Sequence, residues 1–225
     1  AADLGGHRVH HFKQSGELII TVGLFGDGPG QLKAPIGIAV LHRNGTVFIS
    51  EFGNGRISEF NQSEGAFVKA LSTPGGASPW GICLSPDETT LAIACYNYDC
   101  IKLVSVDDSV APRTIGSERG SGDGQLKLPF DVRFTPDGEH VVVADFGNKR
   151  VQWFDLDGSF VRKMPLGDIP CAVAIDAAGN IVVTTGKHVK VFSPVGTLLH
   201  DRLGALELGD AAVGGLDIDP ASGTI

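Results

Sequence analysis

A ten-residue motif returns in this 225-residue chain. Asp3-Leu4-Gly5-Gly6-His7-Arg8-Val9-His10-His11-Phe12, Glu51-Phe52-Gly53-Asn54-Gly55-Arg56-Ile57-Ser58-Glu59-Phe60 and Asp145-Phe146-Gly147-Asn148-Lys149-Arg150-Val151-Gln152-Trp153-Phe154 superimpose without a gap. Degenerate copies run from Cys95 to Val104 and, two residues shorter, from Thr185 to Phe192. Such a period constrains architecture tightly. Each repeat has to be one supersecondary unit that hides its apolar faces against copies of itself.

A second anchor precedes each full copy that has sequence before it. It is an alternating apolar segment opened by proline: Pro35-IGIAV, Pro79-WGICL, Pro129-FDVRF and Pro170-CAVAI, with Val213-GGLDID as a fifth that lacks the proline. These anchors lie about 41 to 50 residues apart, the length of four short strands and their turns. Turns close on glycine between them, at residues 42–45 (HRNG), 135–138 (TPDG) and 176–179 (DAAG). In the repeat that holds Asp145, the pattern predicts strands at about 130–134, 140–145, 149–155 and 159–164, with no helical period anywhere. A four-stranded sheet with two apolar faces is stable only when stacked face to face with others. The expected fold is therefore all-β, a β-propeller of four-stranded antiparallel blades. The repeat frame counts four whole blades plus two half-blades. That count fits a five-bladed ring whose termini combine into one blade, or a fragment of a six-bladed ring with Ala1 and Ile225 on either side of a gap.

These motifs resemble the NHL repeat family. Its pattern is a GxGxGQ loop, a proline-led inner strand, then a glycine, asparagine and arginine turn followed by valine and phenylalanine. The loop occurs twice, as Gly26-DGPGQLKA-Pro35 and Gly120-SGDGQLKL-Pro129. The resemblance spans residues 1–225 and implies a single propeller domain, part of a longer protein. It covers ubiquitin-ligase substrate modules, RNA-binding domains, receptor sensor domains and lyases. The resemblance therefore implies a fold rather than a function.

Composition narrows the function. The net charge of −8, with only 18 Lys and Arg scattered along the chain, opposes binding to nucleic acid or an anionic membrane. No apolar run is long enough to span a bilayer, and residues 1–12 lack the basic region and apolar core of a signal peptide. The sequence names no compartment. The glycine loops at 23–30 and 116–124 have neither GxGxxG nor a P-loop lysine, and no serine stands in a GxSxG setting, which excludes phosphate-loop and hydrolase-elbow chemistry.

Within the repeats one covariation stands out. Asp3, Glu51 and Asp145 each precede an arginine by five residues, at Arg8, Arg56 and Arg150, and where the acid is replaced, at Cys95 and Thr185, the arginine is replaced too. Five residues around a tight turn place the two opposite each other on neighbouring strands, so the pair reads as a structural turn clamp. A ring of arginines for a ligand is the alternative. Where both members are cysteine, Cys95 and Cys100 are close enough for a cross-strand disulfide, or pack as two reduced thiols. The lyase branch of the resembling family holds zinc on channel histidines. Here His7, His10 and His11 fall on an outer strand, and the ionisable residues of the inner strands are Asp131, Arg133, Asp217 and Asp219, so no metal and no cofactor is expected. Trp80, Tyr96 and Tyr98, with Arg56 and Arg150 near them on the turn face, make a candidate binding surface for a protein or peptide. The expectation is a non-enzymatic recognition or scaffold module. A lyase or lactonase-like enzyme with a metal in the axial channel is the alternative.

Overall fold

The computed structural model describes residues 1–73, 76–116, 118–186, 188–203 and 216. The chain is all-β and forms two compact units, Ala1–Ile82 and Cys83–Ile225. Unit 1 opens with a three-stranded sheet, β1 (Ala2–Asp3), β2 (Arg8–Phe12) and β3 (Leu18–Val22). A four-stranded sheet follows, β4 (Pro35–Leu41), β5 (Thr46–Glu51), β6 (Arg56–Asn61) and β7 (Phe67–Ser72). The third sheet comprises β8 (Pro79–Leu84), β9 (Thr90–Cys95), β10 (Cys100–Ser105) and β11 (Arg113–Ile115), with β8 carrying the chain from one unit to the next. Unit 2 continues with β12 (Pro129–Phe134), β13 (His140–Asp145), β14 (Arg150–Asp155) and β15 (Phe160–Pro165). The fifth sheet is β16 (Pro170–Ile175), β17 (Ile181–Thr185), β18 (His188–Phe192) and β19 (Leu198–Leu203). Strand order within every sheet is sequence order, and the pairings are antiparallel, so each sheet is a propeller blade. The expected inner strand at 215–219 and the terminal Ile225 lie outside the described residues, apart from Leu216.

Alternation along single strands explains why the blades stack. On β13, Val141 and Val143 join the core formed with Ala92, Ala94, Ile101 and Leu103 of the third sheet. The intervening Val142 and Ala144 join the core formed with Val173, Ile181 and Val183 of the fifth. Both faces of one strand are thereby buried, as a near-continuous run of small and β-branched apolar side chains with a period of two allows. Unit 1 has its own core of Val9, Leu32, Ile49 and Phe60 between its two sheets. Each fully buried valine or leucine contributes roughly 1.5–3 kcal/mol relative to an exposed one.

Candidate functional site

Three groups of side chains bear on function: the turns between second and third strands, the aromatic residues beside them, and the ionisable residues of the first strands. Turn registers pair Asp145 with Arg150, Glu51 with Arg56, Asp3 with Arg8 and Cys95 with Cys100. In unit 2 Arg150 Nε donates to Asp145 Oδ2 at 2.7 Å, and in unit 1 Arg56 Nε donates to Glu51 Oε1 at 2.7 Å. The rest of each guanidinium goes elsewhere. Arg150 donates to the carbonyls of Ser121 (2.9 Å), Gly122 (2.8 Å) and Gln125 (2.7 Å), all in the glycine-rich loop that leads into its own blade. Arg56 repeats this on Asp27 (2.6 Å), Gly28 (3.1 Å) and Gln31 (2.8 Å). The acids complete the staple, since Asp145 accepts the Lys127 N–H at 2.8 Å and Glu51 the Lys33 N–H at 3.0 Å. Arg56 and Arg150 thus each tie an acid and three loop carbonyls of their own chain. At the third such position the pair is absent: Arg8 Nε turns to the Gly6 carbonyl (3.1 Å), and Asp3 accepts the Gly6 N–H (2.7 Å).

The loops explain the covariation in physical terms. Arg56 and Arg150 stand where a GxGxGQ loop precedes the blade, and that loop exposes several carbonyls that need a donor. The connection before β8 is short, and Thr73 closes it through the carbonyls of Gly55 (2.6 Å) and Ala77 (2.7 Å). No arginine is needed there. Cys95 and Cys100 occupy the positions instead, as buried free thiols.

Among the aromatic residues, Trp80 meets Phe52 edge-on in unit 1, with centroids 5.3 Å apart. In unit 2 Phe130 stacks on Phe146 at 3.9 Å and 19°, with Tyr96 tilted against it at 5.3 Å. Tyr98 is half exposed on the short turn before β10. Phe130 and Phe146 thus pack as a pair. Two of the three histidines are taken up by structure: His7 Nδ1 accepts the Ala34 N–H (3.0 Å), and His10 Nδ1 meets Thr21 Oγ1 (2.8 Å), whereas His11 Nδ1 is buried without a hydrogen-bond partner.

The first strands carry the remaining chemistry, at Cys83, Asp131 and Arg133. Asp131 is buried; its Oδ1 accepts the Val132 N–H (3.0 Å) and its Oδ2 the Val173 N–H (3.1 Å), tying β12 to β16. Arg133 lies 3.4 Å from Asp131 Oδ1 and donates through Nη2 to the Leu216 carbonyl at 2.8 Å, with 19% of its side chain exposed. The Cys83 thiol sits within hydrogen-bonding reach of that guanidinium, and burial pushes it up to about 12 although Arg133 opposes the shift. Cys83 is thus a protonated thiol at neutral pH and no nucleophile. Sequence reading found Asp131 and Arg133 but missed Cys83. The signal was present, since Cys83 stands four residues after Pro79 as Arg133 does after Pro129.

This set does not suit a divalent cation. One donor is a neutral thiol, the carboxylate is engaged by two N–H groups, and a guanidinium stands against both. The other ionisable residues expected on the inner strands, Asp217 and Asp219, lie outside the described residues. Elsewhere among the described residues Asp137, Glu139 and His140 come together on a surface turn. There Asp137 is bonded to Thr135 (2.5 Å) and the Glu139 N–H (3.0 Å), which accounts for the cluster without an ion. No helix among the described residues is long and apolar enough to cross a membrane.

The chain is similar to protein lin-41 of Caenorhabditis elegans, at 50% identity over 50 residues, which is 22% of this chain and 4% of lin-41. A streptogramin B lyase superposes with a TM-score of 0.68 at 15% identity, over 89% of this chain and 63% of the lyase. Virginiamycin B lyase from Staphylococcus aureus superposes with a TM-score of 0.61 at 16% identity, over 77% of this chain and 56% of that one. The chain therefore spans a small part of lin-41 and under two thirds of either lyase, and at such identities the structural likeness concerns the fold. Residues 30–167 match a family named for an enzyme, "Lactonase, 7-bladed beta-propeller". That match corrects the expectation of a non-enzymatic module, which rested on the absence of a histidine metal site and not on the buried charges of β12. Because the match covers more than half of the sequence and includes Asp131 and Arg133, this chain belongs to the lactonase family of seven-bladed β-propellers.

Proposed function

We propose that this chain forms part of an enzymatic propeller of the lactonase kind, which opens a cyclic ester by addition of water to give a hydroxy acid. The observation that carries the reading is the ion pair of buried Asp131 with half-buried Arg133 within the family match, 19% of the Arg133 side chain being exposed. Hydrolysis of a lactone builds negative charge on the carbonyl oxygen, and a guanidinium held in place before the reaction stabilises that charge without reorganising. Asp131 is a positioning residue: tied to β16 by the Val173 N–H, it holds Arg133 through charge and fixed geometry. Cys83 supplies a neutral wall, so proton abstraction from water falls to another group. The repeats themselves read as NHL-type, a reading supported by the two GQLK loops and their arginine staples.

A pH-stat assay of the purified protein against five- and six-membered lactones tests this. Acid release above background is expected, and Arg133→Ala should lower kcat/KM about 100-fold or more while Arg133→Lys retains part of the rate. Absence of turnover across the panel, or identical rates in Arg133→Ala, overturns the reading.

A further inference from the structure

Cys95 ends β9 and Cys100 begins β10, facing each other across a four-residue turn as a registered antiparallel pair. Directly opposed residues in such a pair have Cα atoms about 4.5–5.5 Å apart, inside the span a disulfide bridges without moving the backbone. Both cysteines are buried and free, and the staple that the position serves in other blades is not required before β8, where Thr73 closes the loop. Conservative packing alone does not explain two sulfurs in this register, since any two small apolar residues fill the same space. Cys171 differs. It falls at the irregularity between Pro170 and Ala172 and is skipped by the register with β17.

We infer that Cys95 and Cys100 form a reversible modification site, a cross-strand dithiol that is oxidised to a disulfide by small disulfides such as oxidised glutathione. In the balanced step one thiolate attacks the glutathione disulfide and releases a first reduced glutathione. The second protein thiol then displaces the other glutathione as its proton is lost, so two protein thiols become one disulfide and two molecules of reduced glutathione form. The thiol of Cys100, lowered by its hydrogen bond with Cys95, suits the attacking role. The bridge closes the turn that carries Asp99. Asp99 Oδ1 accepts the Leu128 N–H at 2.7 Å, and its Oδ2 lies 3.6 Å from Arg119, so oxidation stiffens the holder of the loop before β12.

The test incubates the purified protein in reduced-to-oxidised glutathione ratios, quenches with acid, and counts thiols after denaturation. Two of the four thiols should disappear, peptide mapping should join Cys95 to Cys100, and excess reductant should restore all four. Amide exchange at Tyr96–Asp99 should slow in the oxidised form. A Cys171→Ser variant should form the same Cys95–Cys100 bridge, whereas Cys100→Ser should yield no internal bridge. Four free thiols at the most oxidising ratio, or a bridge mapped to Cys83 or Cys171, overturns the proposal. The parent protein alone decides between these outcomes, so a folding defect in Cys100→Ser does not cloud the result.

Discussion

Arg150 joins a turn, a strand and a loop through one planar group, which no lysine can match because a single ammonium has no fork of fixed donors. Its side chain and that of Asp145 are 7% and 0% exposed, so the pair is a buried ion pair rather than a surface one. Removing one partner of such a pair strands the other and the loop carbonyls with it. Asp145→Ala is expected to cost about 3–5 kcal/mol, read as a lower urea midpoint, and Arg150→Lys a substantial part of that. The covariation of acid and arginine was legible in the sequence because both lie on adjacent strands of one turn. The loop contacts were not, since Gln125 and Ser121 lie 25 and 29 residues before Arg150 and nothing in a strand's period reports so distant a partner.

The strands show how little room the stacked blades leave. At Gly37 of β4 an added Cβ would lie 2.7 Å from the Trp80 carbonyl oxygen and 3.0 Å from the Ile82 nitrogen, both backbone atoms of β8. Ser50 bridges the same strands, donating to the Trp80 carbonyl (2.6 Å) and accepting the Gly37 N–H (2.7 Å). Gly37→Ala is expected to lower stability by roughly 1–3 kcal/mol, whereas Gly186→Ala, which meets nothing within 4 Å, should be neutral or slightly stabilising. Thermal melts of the two variants side by side check this. An equal loss in both would show that the close approach of β8 at Gly37 does not set the cost. Strand positions were readable from proline-led alternation: residues 130–134 and 140–145 were expected where β12 (Pro129–Phe134) and β13 (His140–Asp145) stand. The glycine's purpose was not readable, because it depends on which neighbouring backbone comes near.

Across the second unit, the turns are set with aspartates whose carboxyls are held low. Ser85 and Thr89 bond Asp87, Ser105 and Ser109 bond Asp107, Thr135 and the Glu139 N–H bond Asp137, and the Ser159 N–H and hydroxyl bond Asp157. Each folded-state pKa lies below the unfolded value of about 3.9, so the folded state favours the ionised form. The contribution is present above pH ~4 and is lost as pH falls through the lowered values. Stability should therefore decline on acidification below pH ~4, and Ser105→Ala should flatten that limb, measured as urea midpoint against pH. What the sequence by itself determined is the local grammar: five blade-like repeats, four strands in order within a repeat, and the register of each acid or cysteine with its partner five residues on. Side-chain alternation, proline and turn glycines act over a few residues and are visible in any one of them. Only the tertiary structure decided that Cys83 meets Arg133 from 50 residues away, that Asp131 ties β12 to β16, and that Arg56 and Arg150 donate to carbonyls of the preceding glycine-rich loops. Those meetings are set by how sheets stack, and stacking is driven by apolar burial that carries no record of which polar groups it brings together.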